Sequence, residues 1–220
     1  SPMYHIQVLT RFITAISLLR DSGHIIPLSV VQTANMGIAF LKYIEPPDNK
    51  IPLFNDSVFG QSLPLRVCLN YASKSGFLLN KTNPTSYAEE SGYYWIPGIN
   101  SGSKMLVDGG TVGPTHLPAH SHNDMLSYIL WIDGQRIITD TGTYGYSDET
   151  NRMRSRSVSG HNSVQVDDFE PISIAGKYLM GKRTSPSVSY NLVDGLYCFK
   201  GEYFTSSNST HYTHTRHIFS

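Results

Sequence analysis

The sequence predicts an α+β fold in which helices come first and antiparallel strands follow. Three observations carry this. Apolar residues recur at three- and four-residue spacing through roughly residues 1–85. Short runs rich in β-branched and aromatic residues, separated by turn formers, fill residues 86–220. Asp133-Gly134, between two apolar runs, is a strong two-residue hairpin signal. Helices first and strands second imply two segregated parts, with the strands forming an antiparallel sandwich or one large sheet.

The first helix opens at Ser1, a cap residue, followed by Pro2 at the first helical position. Ile6, Leu9, Phe12, Ile13, Ile16 and Leu19 give it one apolar face, and Asp21, Ser22 and Gly23 end it. A second apolar stretch, Leu28 to Ile44, is too long for an ordinary strand and stops at "EPPDNK". "LPLRVCLNYASKSG" predicts a shorter third helix closing at Gly76, and "KTNPTSYAEESG" reads as the boundary. Strands are expected in "GYYWIPG", "SKMLVDGG", "MLSYILWI", "QRIITDTG", "HNSVQVDD", "SPSVSYNLV" and "LYCFKGEYF". The last segment, "THYTHTRHIFS", stops in mid-pattern and reads as a strand without its partner. The chain is therefore expected to be a piece of a longer protein.

Composition narrows the partners. Lysine plus arginine and aspartate plus glutamate both number 17, so the formal net charge is zero. No basic tract points to nucleic acid or an anionic membrane surface. No apolar run approaches the ~18 residues of a membrane span. "SPMYHIQVLTR" lacks the charged end and apolar core of a signal peptide. Cys68 and Cys198 have no metal-type spacing and read as two thiols rather than a disulfide.

The chemistry concentrates in "AHSHNDMLSYILWIDGQRIITDTGTYGY" and the stretch after it. Alternate residues of an extended segment point the same way, so His120 and His122 can face one pocket. His122, Asp140 and His161 supply the donor types of a zinc site, neutral imidazoles and a carboxylate. A two-residue turn at Asp133-Gly134 sets Asp140 opposite Ser127, leaving His122 roughly 16 Å away at ~3.3 Å per residue. The chain between His122 and Ser127 must then fold back, or a neighbouring strand must carry one ligand. "RMRSRSVSGHN" places Arg152, Arg154 and Arg156 just before His161. They are either a solvated loop or guanidinium groups for a carboxylate or sulfate. Tyr4, in the first turn of helix 1, lies near the positive end of the helix dipole.

Taken together, "SPMYH", "IPLFNDS", "GYYWIPG", "HSHNDMLSYILWIDGQRIITDTGTYGY" and "RSRSVSGHNSVQVDD" resemble the heparinase II/III-like polysaccharide lyases, a family that includes alginate lyases. The resemblance implies the last helices of an α/α toroid followed by an antiparallel β-sandwich, divided near residues 85 and 86. It also implies β-elimination on a uronate-containing polysaccharide, a glycosaminoglycan or alginate among the options. Tyr4 matches the catalytic tyrosine and His120 its partner. His122, Asp140 and His161 match the metal ligands, usually zinc and structural rather than catalytic. Arg156 matches a family arginine and, with Asn123 and Tyr144, is expected to bind substrate; Ser121 and Asn123 stand where the family commonly has Gly and Ala. The family's Asn-His pair, which neutralises the substrate carboxylate, falls upstream of Ser1. The partner implied is an anionic polysaccharide, and the location periplasmic or secreted. Two other classes fit in part. A non-catalytic polysaccharide-binding or assembly protein would keep the sheets and metal without turnover. A cupin-type oxygenase also uses HxH with a distant histidine, but it wants a carboxylate four or so residues after the second histidine, whereas Asp124 is two away, and it has no place for the helices.

Overall fold

The structure, a computed structural model, describes residues 1–77, 89–98, 102–114, 116–207 and 210–220. Helices α1 (Pro2–Asp21), α2 (Leu28–Tyr43) and α3 (Leu65–Lys74) come first. Strands β1 (Tyr93–Pro97), β2 (Ser103–Asp108), β3 (Tyr128–Ile132) and β4 (Gln135–Ile138) form one antiparallel sheet in sequential order. Helix α4 (Glu149–Arg156) follows, then a two-stranded pair, β5 (Ile174–Ala175) with β6 (Leu179–Met180). Strands β7 (Ser187–Val193), β8 (Leu196–Ser207) and β9 (Thr210–Phe219) close the chain as a third antiparallel sheet. The fold is α+β, and among the described residues no helix is long and apolar enough to cross a membrane.

Alternation within the first sheet decides the layering. Tyr93, Leu106, Ile129 and Trp131 point into the core formed with the helices, where Ile6, Ile13, Ile38, Leu41, Phe54 and Leu65 are also buried. Tyr94, Ile96 and Val107 point the other way, into a second core with Phe199 and Tyr203 of β8. Strands covered on both faces carry no polar alternation, which is why "YYWI" and "YILWI" read as continuous apolar runs. Two hydrogen bonds tie helix to sheet: the Tyr43 hydroxyl donates to the Tyr93 carbonyl (2.6 Å), and the Trp95 indole to the Tyr43 carbonyl (2.7 Å).

Most expected elements lie where the pattern puts them. The Asp133-Gly134 turn has φ of 49° and 78°, the double left-handed conformation that joins β3 to β4. Ser1 precedes α1 as expected, but its hydroxyl bonds the Ser57 hydroxyl (3.0 Å) rather than capping the helix. Three expectations are corrected. "HNSVQVDD" forms no strand, only an isolated bridge between Val166 and Phe169. "THYTHTRHIFS" does not lack a partner, since β9 pairs with β8 along its length. The arginine-rich stretch is a helix rather than a loop, because Asp148 caps it by accepting from the Asn151 N–H (2.8 Å). Cys68 and Cys198 are free thiols. The boundary near residues 85 and 86 lies outside the described residues.

Candidate active site and metal-ligand cluster

The site is organised around a carboxylate in the loop after α2. In "IPLFNDS", Ile51, Leu53 and Phe54 are buried and anchor the loop, and Asn55 takes a left-handed φ of 49°. Asn55 donates through its backbone (3.1 Å) and side-chain amide to Asp124. The next residue, Asp56, is fully buried. Its Oδ2 accepts from His120 Nδ1 (2.7 Å) and from the Tyr146 hydroxyl (2.7 Å), and its Oδ1 accepts from His122 Nε2 (2.8 Å). The Arg152 guanidinium, also fully buried, grips both oxygens, with Nη2 at 3.1 Å from Oδ2. Burial alone would raise the Asp56 carboxyl, but the bonds and charges of His122 and Arg152 outweigh it and hold it well below the usual carboxylate range.

These bonds fix protons. Tyr146 has one hydroxyl hydrogen, and it goes to Asp56, so the 2.7 Å bond between the Tyr4 and Tyr146 hydroxyls has Tyr4 as donor. Burial first, then its bonds to Tyr4 and Asp56, push the Tyr146 phenol far up, so it stays neutral. His120 stands 4.9 Å from the Tyr4 ring between centroids, with its side chain 44% exposed. Its Nδ1–H faces Asp56, so a neutral imidazole carries its lone pair on Nε2. Tyr4 and His120, far apart in sequence, thus meet at one accessible place.

On the other side of Asp56 lies a buried cluster. His122 gives its Nε2–H to Asp56, and His161 gives its Nδ1–H to Asp140 (2.9 Å to Oδ1). The remaining nitrogens, His122 Nδ1 and His161 Nε2, are buried without a hydrogen-bond partner among the described residues. Together with an Asp124 carboxylate oxygen, ligand atoms of the three side chains lie within 4.8 Å of one another. Two imidazoles and a carboxylate this close together are a donor set for a divalent cation such as zinc. Burial would lower His161, but Asp140 and then Asp124 outweigh it and push it up to about 9. A cation bound at Nε2 would replace that proton. Burial lowers His122, which favours the neutral ligand form.

The expected trio was His122, Asp140 and His161. The structure groups His122 and His161 with Asp124, ligand atoms of the three lying within 4.8 Å of one another, while Asp140 accepts from His161 Nδ1 (2.9 Å). Asp140 is held by the Ser127 hydroxyl (2.7 Å) and the Gly142 N–H (3.0 Å), so it does sit by Ser127. The chain does fold back between His122 and Ser127: the Ser127 N–H bonds the Asp124 carbonyl (2.9 Å), with Leu126 at a left-handed φ of 60°. Gly142 is required by close approach, since a Cβ there would collide with the Ser57 carbonyl oxygen.

The other expected residues separate. Arg156 is fully buried and donates only to backbone carbonyls, those of Ser121 (3.0 Å), Gly176 (3.0 Å), Leu179 (3.2 Å) and Pro118 (3.3 Å). Asn123 is buried and donates to Glu170 (2.5 Å) and the Ile172 carbonyl (2.8 Å). Both therefore brace the HxH segment from behind instead of facing a substrate. Tyr144 is 72% exposed and lies outside the Asp56 network. Asp56, Tyr146 and Asp124 took no site role in the sequence, and Arg152 entered there only as a guanidinium for a carboxylate or sulfate. The available signal was an aspartate inside the apolar "IPLFNDSVFG" and a second tyrosine in "TYGY".

Residues 80–220 match the family described as heparinase II/III-like, C-terminal. The chain belongs to that family. Two solved structures share its fold. The heparan sulfate lyase HepC from Pedobacter heparinus superposes with a TM-score of 0.70 at 20% identity, covering 100% of this chain and 35% of that one. A heparinase III crystal structure gives 0.68 at 18% identity, covering 100% and 37%. This heparinase II/III-like chain thus spans about a third of the length of those enzymes. Tyr4 and Asp56 fall before the family match, within the part shared with the solved structures. No curated protein matches the chain.

Replacing Arg156 with Ala removes four hydrogen bonds to carbonyls, the one to Ser121 buried, so stability should fall by about 2–3 kcal/mol. The urea midpoint measures this, and Arg156→Lys should recover only part of the loss because an ammonium cannot reach four divergent acceptors.

Proposed function

We propose that this chain is part of a lyase that cleaves a uronate-containing polysaccharide by β-elimination. The carrying observation is the meeting of the Tyr4 phenol and the His120 imidazole at an accessible point, both tied to Asp56. Family membership and the likeness to a heparan sulfate lyase support a glycosaminoglycan-type substrate. In this reading α1 to α3 are the end of an α/α toroid, and the two larger sheets form the β-sandwich, divided near residues 85 and 86.

The reaction breaks the C5–H bond of a uronate, forms a C4=C5 double bond and expels the sugar oxygen on C4. His120 Nε2 carries the lone pair that takes the C5 proton, and Asp56, on the opposite nitrogen, stabilises the resulting imidazolium. Tyr4 gives its hydroxyl proton to the departing oxygen, and Tyr146 receives a hydrogen bond from Tyr4 before the step, holding the phenol in place. The His120 proton then restores Tyr4, which leaves no net charge on the site. Neutralising the substrate carboxylate falls to residues upstream, where the resemblance puts an Asn-His pair.

His122, Asp124 and His161 would hold a divalent cation, zinc by donor type, with Asp56 and Asp140 orienting the two imidazoles. When bound, the ion supplies positive charge that fixes the HxH loop. His122 bonds one oxygen of Asp56 while Tyr4 reaches the other through Tyr146, so residues that would hold the ion lie away from the Tyr4 hydroxyl, which fits a structural role.

In the full-length protein, Tyr4→Phe should lower the rate of unsaturated uronate formation by about 10²- to 10⁴-fold while substrate affinity stays near wild type. Wild-type turnover in that variant would remove Tyr4 from the chemistry. His122→Ala should lose bound metal and melt several degrees lower, because metal binding and folding are linked. An unchanged melting temperature in a metal-free variant would contradict a structural ion.

A further inference from the structure

A carboxylate outside the Asp56 network joins the two segments that carry the buried cluster. Glu170 Oε2 accepts from the Asn123 side-chain amide (2.5 Å) and from the Val158 N–H (2.9 Å). Asn123 stands between His122 and Asp124 in the chain. Val158 opens the short 3₁₀ turn Val158–Gly160, and its carbonyl accepts from the His161 N–H (3.1 Å). One oxygen therefore links the segment holding two of the three cluster residues to the segment holding the third.

Both bonds lie where water does not replace them at little cost, since Asn123 and Val158 are each 1% exposed. The second Asn123 amide hydrogen goes to the Ile172 carbonyl (2.8 Å), and its backbone N–H goes to the Arg156 carbonyl (2.9 Å). The Asn123 amide oxygen is buried without a hydrogen-bond partner among the described residues. The two donated amide bonds thus decide which way that side chain points, and a flipped amide would set its oxygen against the Glu170 carboxylate. The Glu170 segment is itself anchored. The Thr205 hydroxyl on β8 donates to the Pro171 carbonyl, and Ile172 is buried in the second core.

We infer that Glu170 is a positioning residue for the cation-binding cluster, setting the place of His161 relative to His122 and Asp124. The inference rests on reading that cluster as a cation site and assigns the restraint that shapes it. A small divalent cation accepts only a narrow range of ligand distances, so two separate segments must be held in register before it binds. Partners outside the ligand set that fix such segments are worth about 10- to 100-fold in metal affinity. Asn162, next to His161, is tied separately to the Ser127 hydroxyl (3.1 Å), so loss of Glu170 should loosen the third ligand without unfolding the site.

The test is chelator competition for Co²⁺ on the full-length protein, comparing wild type, Glu170→Ala and Glu170→Gln, with the visible Co²⁺ absorption recorded at saturation. Glu170→Ala should weaken Co²⁺ binding about tenfold or more and alter the absorption, because the donor geometry around the ion changes. Glu170→Gln keeps an acceptor oxygen for the same two N–H groups and should recover most of the affinity. Unchanged affinity and spectrum in folded Glu170→Ala overturns the positioning role. An equal loss in the alanine and glutamine variants assigns the effect to charge rather than geometry and overturns it as well. Should the alanine variant fail to fold, Glu170→Asp, one methylene shorter, carries the same expectation and the same refutation. Wild-type protein that binds no Co²⁺ removes the cluster reading and this inference together, whereas wild-type binding with an indifferent Glu170 removes the inference alone.

Discussion

A fully buried carboxylate, Asp56, holds the two faces of this site in one geometry. Left alone in the interior it would be strongly unfavourable, and removing the partner of such a charge costs about 3–5 kcal/mol. Arg152 supplies the compensating charge, and His120, His122 and Tyr146 fill the remaining acceptor positions. The consequence is directional. Each histidine's Asp56-facing nitrogen is committed as a donor, so the opposite nitrogen is left with the lone pair: Nε2 of His120 and Nδ1 of His122. Alternating histidines thereby acquire different chemistry from one shared anion.

The surrounding fold serves that arrangement. The first sheet is covered on both faces, by helices on one side and by β7 to β9 on the other. Its loops are therefore fixed to a packed layer. Buried arginines complete the bracing. Arg152 ties α4 to Asp56 and the Ala119 carbonyl (2.7 Å), and Arg156 ties it to the HxH segment and the β5–β6 pair. In this heparinase II/III-like chain a helix with two inward guanidinium groups does what an apolar helix face does elsewhere.

Periodicity made the helices and most strands legible, because burying a stripe or a face leaves a repeating apolar signature. It missed α4, whose buried side chains are arginines and whose mean hydropathy is accordingly low. It also misread "HNSVQVDD", where β-branched residues occur without a neighbouring strand to pair with. Within the site, local spacing pointed to His120, His122 and His161. It could not find Asp56, because its role depends on a loop brought 64 residues across the chain to His120. Nor could it rank Asp124 against Asp140. Both are carboxylates near the histidines, and only the fold-back at Leu126 brings Asp124 into the group with His122 and His161.

The claim that one carboxylate governs both faces is tested most directly by Asp56→Asn in the full-length protein. The metal-to-protein ratio and the initial rate of unsaturated uronate formation are measured on one folded preparation. The expected result is a fall in both, because the amide can neither neutralise Arg152 nor fix both imidazole tautomers. Full metal occupancy with wild-type turnover would contradict the central role of Asp56.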